Sequence, residues 1–350
     1  MQHTIISILS DQLIPNVLFI RQWAENGDIH IFLSSKEMEQ KHKSRILAQS
    51  LNLGNKQFKT IVIDQNSPSL ILEVLEKEFP KGKRDNNFII NITGGTKMMS
   101  QMTYFYFWGF PKTSIYYWPI GEKYVEQLHP EFKRIEIENP VQLNLKTYLA
   151  AHGYSFTKAE RPDRDYHAAE ELYRKVITCG DAALVPEISK ATNAEYKKND
   201  KGYLSGGWFE EWLYFTLKKE LQLKDSHIGL NLKIRNEASK RETGNDNELD
   251  MAFVYKNTLY ILECKVYNRK QLTGKRITDA IYKISSVRQS LGLKATAMVF
   301  ILSPFGNSHG RRNTINDLVR MANVKQIFSL EDMKRRETFL NKIKMMIDYE

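Results

Sequence analysis

The stretch Glu248-Leu249-Asp250-Met251-Ala252-Phe253-Val254-Tyr255-Lys256-Asn257-Thr258-Leu259-Tyr260-Ile261-Leu262-Glu263-Cys264-Lys265 decides how the C-terminal half of this chain folds. Met251–Tyr255 and Leu259–Val266 are rich in β-branched, aromatic and aliphatic residues, the make-up of buried strands. A two-residue turn at Lys256-Asn257 makes Tyr255 face Thr258. Counting back from that pair sets Asp250 opposite Glu263. Side chains alternate along a strand, so Glu263 and Lys265 share one face, on the side of Asp250. Two carboxylates and an amine therefore converge in an otherwise apolar hairpin. Such a cluster is costly to bury unless a divalent cation or a phosphate compensates it.

Hard cations such as Mg²⁺ or Mn²⁺ take carboxylate oxygens and water, with a substrate phosphate often completing the shell. Such an ion polarises a phosphoryl oxygen and acidifies a bound water. Lys265 is placed to orient that water or to offset charge building on phosphorus. Upstream, Gly206-Gly207-Trp208-Phe209-Glu210-Glu211-Trp212-Leu213 has the apolar period of a helix. Downstream, Arg276–Leu291 is helical by the same criterion, and Ala297–Ser303 reads as a further strand. Lys283 and Arg288 on that second helix read as surface cations within reach of a phosphate.

Asp250 followed by Glu263-Cys264-Lys265 resembles the PD-(D/E)xK nuclease superfamily, with Leu249 where the superfamily name has proline. The order helix, three strands, helix, strand is what that nuclease core requires. The resemblance implies Asp250, Glu263 and Lys265 as catalytic residues. It adds a helix glutamate to the metal site, Glu210, with Glu211 the alternative. The implied metal donors are Asp250, Glu263, Glu210 and the Cys264 backbone carbonyl.

In the N-terminal half, the strand Phe88–Ile92 runs into Thr93-Gly94-Gly95-Thr96, and a helix follows from about Lys97. Such a turn offers backbone N–H groups and a helix N-terminus to an anion. It is neither a Walker A loop nor a dinucleotide fingerprint, so those cofactors are disfavoured. Further strands Thr4–Leu9, Ile29–Leu33 and Thr60–Ile63 each lead into a polar loop. Met38–Leu51 and Ser69–Phe79 read as the intervening helices. Alternating strands and helices imply an α/β, Rossmann-like parallel sheet with ligands at the carboxyl ends of its strands.

Ser10-Asp11-Gln12, Ser34-Ser35-Lys36 and Thr93-Gly94-Gly95-Thr96-Lys97 together resemble the CRISPR-associated Rossmann-fold (CARF) sensors of type III CRISPR defence. With the C-terminal motif, nearly the whole chain resembles the single-sensor nucleases activated by cyclic tetraadenylate. The resemblance implies a homodimer holding one ring across its two-fold axis. Its ligand candidates are Ser10, Gln12, Ser35, Thr93, Gly95, Thr96 and Lys97. The expected activity is cleavage of DNA and/or RNA by an allosterically gated, metal-dependent endonuclease. Rival expectations are a ligand-responsive nucleic-acid-binding regulator with an inert nuclease fold, and an ungated DNA-repair nuclease.

The 350 residues are enough for two cores. A boundary is expected near Pro140, giving a sensor at 1–140, a mainly helical connector at 141–205 and a restriction-endonuclease-like α/β domain at 206–350. In the connector, Val141–His152 and Tyr166–Thr178 read as helices, and Arg161-Pro162-Asp163-Arg164 as a polar break. The net charge of +10 is uneven, with 16 Lys+Arg against 15 Asp+Glu in residues 1–140 and 35 against 26 beyond. A basic surplus on the nuclease side suits a polyanionic substrate. Two cysteines without a pairing pattern point to a reducing cytoplasm, and no apolar run approaches a membrane span. No signal peptide is expected, because the chain opens on a strand pattern. The polar run Arg235–Asn247 reads as a mobile loop beside Asp250.

Overall fold

The computed structural model describes residues 2–80, 86–119, 121–158, 166–188, 202–237, 247–268, 271–304 and 309–348. The chain divides into two compact units. The first holds the chain up to Leu143 together with Thr147–Tyr154 and Glu237, and the second holds Asn144–Lys146, Ser155–Asn236 and the described residues from Asn247 onward.

Seven strands build the sheet of the first unit: β1 (Thr4–Ile8), β2 (Ile29–Ser34), β3 (Phe58–Val62), β4 (Phe88–Asn91), β5 (Thr113–Tyr117), β6 (Tyr124–His129) and β7 (Lys133–Glu136). Their spatial order is β3-β2-β1-β4-β5-β6-β7, parallel through β5 and antiparallel beyond it. The sequence order reverses between β1 and β4, which leaves a crevice at their carboxyl ends. Ile6, Ile8, Leu33, Ile61, Ile90 and Ile115 form the sheet side of a core completed by Leu75, Phe79, Met99 and Phe107. Near-continuous apolar strands are what a parallel sheet covered by helices demands. The segment expected to be one helix over Met38–Leu51 is two, Lys36–Gln40 and Lys43–Leu51, because His42 takes a left-handed conformation at φ 55°. The β6–β7 hairpin has no clear sequence signal, since β7 (Lys-Arg-Ile-Glu) is polar and mostly exposed.

The second sheet has the order β13-β12-β11-β10-β9-β8. Its strands are β8 (Tyr154–Lys158), β9 (Ile228–Asn236), β10 (Asn247–Tyr255), β11 (Thr258–Val266), β12 (Ala295–Leu302) and β13 (Gln326–Ser329). Lys256 and Asn257 have φ of 49° and 61°, the double left-handed turn that matches strand twist in a tight hairpin. Tyr255 pairs with Thr258, and the register runs back to Met251 against Leu262, one step before Asp250 and Glu263. One face of this hairpin sends Met251, Phe253, Tyr260 and Leu262 into a cluster with Trp208, Trp212, Phe300 and Phe339. The helix Gly274–Ser290 packs on β11 and β12.

Much of the expected connector belongs to this second core. The helix Tyr166–Cys179 buries Ala169, Leu172, Tyr173 and Val176 in the same cluster as the tryptophans. Tyr173 stacks on Trp212 with ring centroids 3.7 Å apart. An amphipathic period shows that a helix has a buried face but not which core that face joins. Helix over Val141–His152 is confined to Leu145–Ala150. Gly153, at φ +80°, ends the turn that follows. Residues 161–164, and 238–246 of the polar run before Asp250, lie outside the described residues. Among the described residues, no helix is long and apolar enough to cross a membrane.

Candidate functional site

Strand alternation brings Asp250, Glu263 and Lys265 to the face of the second sheet opposite the aromatic cluster. Asp250 and Glu263 are buried, with 9% and 2% of their surface exposed. The Lys265 ammonium lies 2.6 Å from Glu263 Oε1 and 3.2 Å from Asp250 Oδ2, so it spans both carboxylates. The Cys264 N–H also donates to Asp250 Oδ2, at 2.8 Å, which fixes that carboxylate against the backbone. Burial opposes the Lys265 charge, but Asp250 and Glu263 outweigh it and hold its pKa above the ordinary lysine value. Burial, reinforced by Asp250 and Glu210, pushes the Cys264 thiol well up, so it stays protonated.

The fourth charge is one that the sequence reading places on the surface. Lys283, from the helix Gly274–Ser290, donates to both oxygens of Glu263 at 2.8 Å and lies 3.9 Å from Asp250 Oδ1. Its position five residues before Arg288 carries no sign of this, because a lysine on a helix is ordinarily solvated. Arg288 instead donates to the Ala295 carbonyl at 3.2 Å. Glu210 lies on the helix Trp208–Glu220 and acts on Cys264 through its charge, while Glu211 on the same turn is buried. Among the described residues, no three carboxylate, imidazole or thiol groups gather as a metal site. Asp250 and Glu263 thus stand as a pair. The two carboxylates supply anionic oxygen donors of the kind a hard divalent ion takes, with backbone or water oxygens to complete the shell.

The first sheet carries a different kind of site. Gly94 and Gly95 press on the end of β1. A Cβ on Gly94 would meet the Ile8 carbonyl oxygen at 2.1 Å, and Gly95 takes φ +77°. Beneath them runs a buried amide relay. Asn16 donates to Ile8 O at 3.0 Å, Asn91 to Asn16 at 3.1 Å, and the Thr93 hydroxyl to Asn91 at 2.6 Å. Asn16 and Asn91 are residues the sequence reading leaves out, although Asn91 stands in the strand that runs into the glycine turn.

The seven ligand candidates divide by what their side chains already do. Ser35 and Thr96 accept from the backbone N–H of Met38 and Met99 and so cap their helices. Thr96 also donates to Gln65 O at 2.7 Å, and Ser10 to Gln12 O at 3.1 Å. Ser35 is buried, Ser10, Gln12, Thr93 and Gly95 are half-buried, and Thr96 and Lys97 are exposed at the helix N-terminus. Two further lysines crowd the β1 loop. Lys41 pairs with Asp11 at 3.0 Å, and Lys43 donates to the Asp11 carbonyl at 2.8 Å. Burial lowers the Lys43 pKa despite that carboxylate.

Residues 4–148 match the family described as Card1 CARF domain, and residues 197–323 that described as Card1-like, endonuclease domain. The chain joins a CARF domain to a Card1-like endonuclease domain. Among solved structures, this two-domain protein is similar to Can2 from Sulfobacillus thermosulfidooxidans in complex with cyclic tetra-adenylate. That similarity covers 99% of both chains with a TM-score of 0.73 at 19% identity. Protein VC1899 from Vibrio cholerae is similar over 98% of both chains, with a TM-score of 0.73 at 17% identity. A type III CRISPR defence DNA nuclease activated by cyclic oligoadenylate matches 88% of this chain and 47% of its own, with a TM-score of 0.55 at 17% identity. None of the curated proteins matches the sequence. At these identities the likeness is one of fold.

Proposed function

We propose that the protein is a metal-dependent endonuclease of type III CRISPR defence, switched on by a cyclic oligoadenylate bound at its CARF domain. Cyclic tetraadenylate is the activator that the Can2 likeness favours. The observation that carries the reading is the buried Asp250–Glu263 pair bridged by Lys265 in an endonuclease domain.

Asp250 and Glu263 would hold Mg²⁺ or Mn²⁺, with the Cys264 carbonyl as a third donor and Glu210 supporting the shell. Such an ion supplies Lewis acidity at the phosphate and a more acidic bound water. Lys265, held protonated between the carboxylates, would orient the attacking water or offset negative charge building on phosphorus. The Cys264 N–H keeps Asp250 aimed, so little reorganisation accompanies the chemistry. Tyr267 and Arg276, with the guanidinium 5.4 Å from the ring centroid, offer a stacking and phosphate-binding flank for DNA and/or RNA.

At the CARF domain, Ser10, Gln12, Ser35, Thr93, Gly95, Thr96 and Lys97, which follow the carboxyl ends of β1, β2 and β4, would receive the anionic ring. The two-fold character of four adenylates suits a homodimer, each protomer taking half. Phe105 and Trp108, exposed at 67% and 46% at the far end of the helix that follows the glycine turn, are apolar surface consistent with such pairing. Activation requires only that the ligand bind the cleavage-competent state more tightly than the resting one.

The test is cleavage of labelled DNA and RNA by wild type and Asp250→Asn in EDTA, Mg²⁺ and Mn²⁺, with ligand present. Cleavage by wild type alone, and only with metal, is expected. Cutting in EDTA would defeat the metal assignment. Nucleic-acid binding without cutting in any metal would favour the regulator.

A further inference from the structure

Lys283 occupies the edge of Glu263 that a metal ion would use. Both Glu263 oxygens accept from it at 2.8 Å, while Lys265 takes Oε1 at 2.6 Å. Asp250 Oδ2 is committed to the Cys264 N–H and Lys265. That leaves Asp250 Oδ1, 3.9 Å from Lys283, as the least engaged oxygen of the pair. With both lysines in place the four groups sum to zero charge, so a dication entering would make the cluster strongly positive. A divalent ion sits about 2.0–2.6 Å from its oxygens, in the space that the ammonium fills. Ion and Lys283 therefore exclude each other at Glu263.

Of the two lysines, Lys283 is the one that can leave. Lys265 is part of β11, donates to both carboxylates, and has 30% of its side chain exposed. Lys283 has 44% exposed and reaches in from a helix, so it can swing to water with its backbone unmoved.

We propose that Lys283 is a displaceable counter-ion of the carboxylate pair, which gives up Glu263 to the divalent ion and turns to the phosphate of the nucleic acid. This rests on the metal-dependent reading above. Lys283 keeps the buried carboxylates neutralised until metal and substrate arrive together, and so couples metal affinity to substrate.

The experiment is Mn²⁺ binding to the full chain without nucleic acid, read by calorimetry and by the free-ion spin-resonance signal. Removing one adjacent positive charge in Lys283→Met is expected to tighten Mn²⁺ binding about tenfold. Lys283→Gln should behave likewise, and Lys283→Arg should remain near wild type. Adding non-cleavable nucleic acid should tighten Mn²⁺ binding by wild type more than by Lys283→Met. Equal or weaker Mn²⁺ binding in folded Lys283→Met and Lys283→Gln would overturn the inference. Wild-type Mn²⁺ binding that survives Glu263→Gln unchanged would instead overturn the metal site itself.

Discussion

The crevice of the first sheet and the hairpin of the second solve opposite problems. Around Gly94 the protein presents backbone, hydroxyls and amides and leaves the charges of Asp11, Lys41 and Lys97 exposed, while the buried groups satisfy one another through Asn16, Asn91 and Thr93. Around Asp250 it buries charge, and the cost is met by placing two lysines on two carboxylates. Backbone and hydroxyl donors with solvated lysines suit capture and release of an anion without a large desolvation penalty. Rigid strands carrying paired charges suit chemistry, where position must hold to fractions of an ångström. One half is built to recognise and the other to react.

The sharpest way to break this contrast is to neutralise the reactive half alone. Glu263→Ala is expected to lower cleavage about 10³-fold or more, in the range for removing a transition-state electrostatic group. Ligand affinity measured by calorimetry should stay unchanged, and its loss would defeat the division of labour. In the recognising half, Gly94→Ala drives a methyl into the Ile8 carbonyl. We expect this to cost about 3 kcal/mol or more by chemical denaturation, at the upper end for overpacking. Unchanged stability would mean that β1 and the glycine turn are not in close approach.

A charge that serves structure rather than reaction sharpens the comparison. Glu170 accepts from Trp212 at 2.9 Å, Tyr166 at 2.9 Å and Arg336 at 2.8 Å, tying three helices of the second unit. Burial raises its pKa, but those hydrogen bonds, Arg174 and the Arg336 charge bring it below the usual carboxylate value. Glu170→Ala should cost about 3 kcal/mol, because it strands Arg336 and the Trp212 N–H. A lowered folded pKa means this stabilisation is present above the unfolded carboxylate pKa and lost as pH falls through the folded one. Wild type should therefore lose stability faster than Glu170→Gln below about pH 4. The smallest effect belongs to His152, whose ring stacks on Tyr148 and whose pKa burial lowers to about 4. Here the unfolded chain takes up the proton first, so stability of the first unit falls as pH drops from about 6.5 towards 4. The slope should be on the order of 1 kcal/mol per pH unit in thermal or urea unfolding, and His152→Phe should flatten it.

The two regions also differ in how far their sequence discloses them. The hairpin is legible because Lys256-Asn257 fixes the register, and the register alone carries Asp250 to Glu263. Apolar patterning likewise discloses the parallel strands β1 to β4 and the central strands β10, β11 and β12, but not the polar β6–β7 hairpin. Lys283 was not legible, because its partners come from a strand some twenty residues away and helical spacing says nothing of what lies opposite. For the same reason the helix Tyr166–Cys179 reads as a connector until Tyr173 is seen against Trp212. The engagement of Ser35 and Thr96 as helix caps is a local device, open to a capping argument from sequence.

Coupling between the two halves is the central claim, and the initial cleavage rate with and without saturating cyclic tetraadenylate, at fixed Mn²⁺, tests it most directly. The account predicts that the rate rises about 10²-fold or more with the ligand, as a shift from a minor to a dominant active state requires. An equal rate in its absence would mean an ungated nuclease, and would contradict the account.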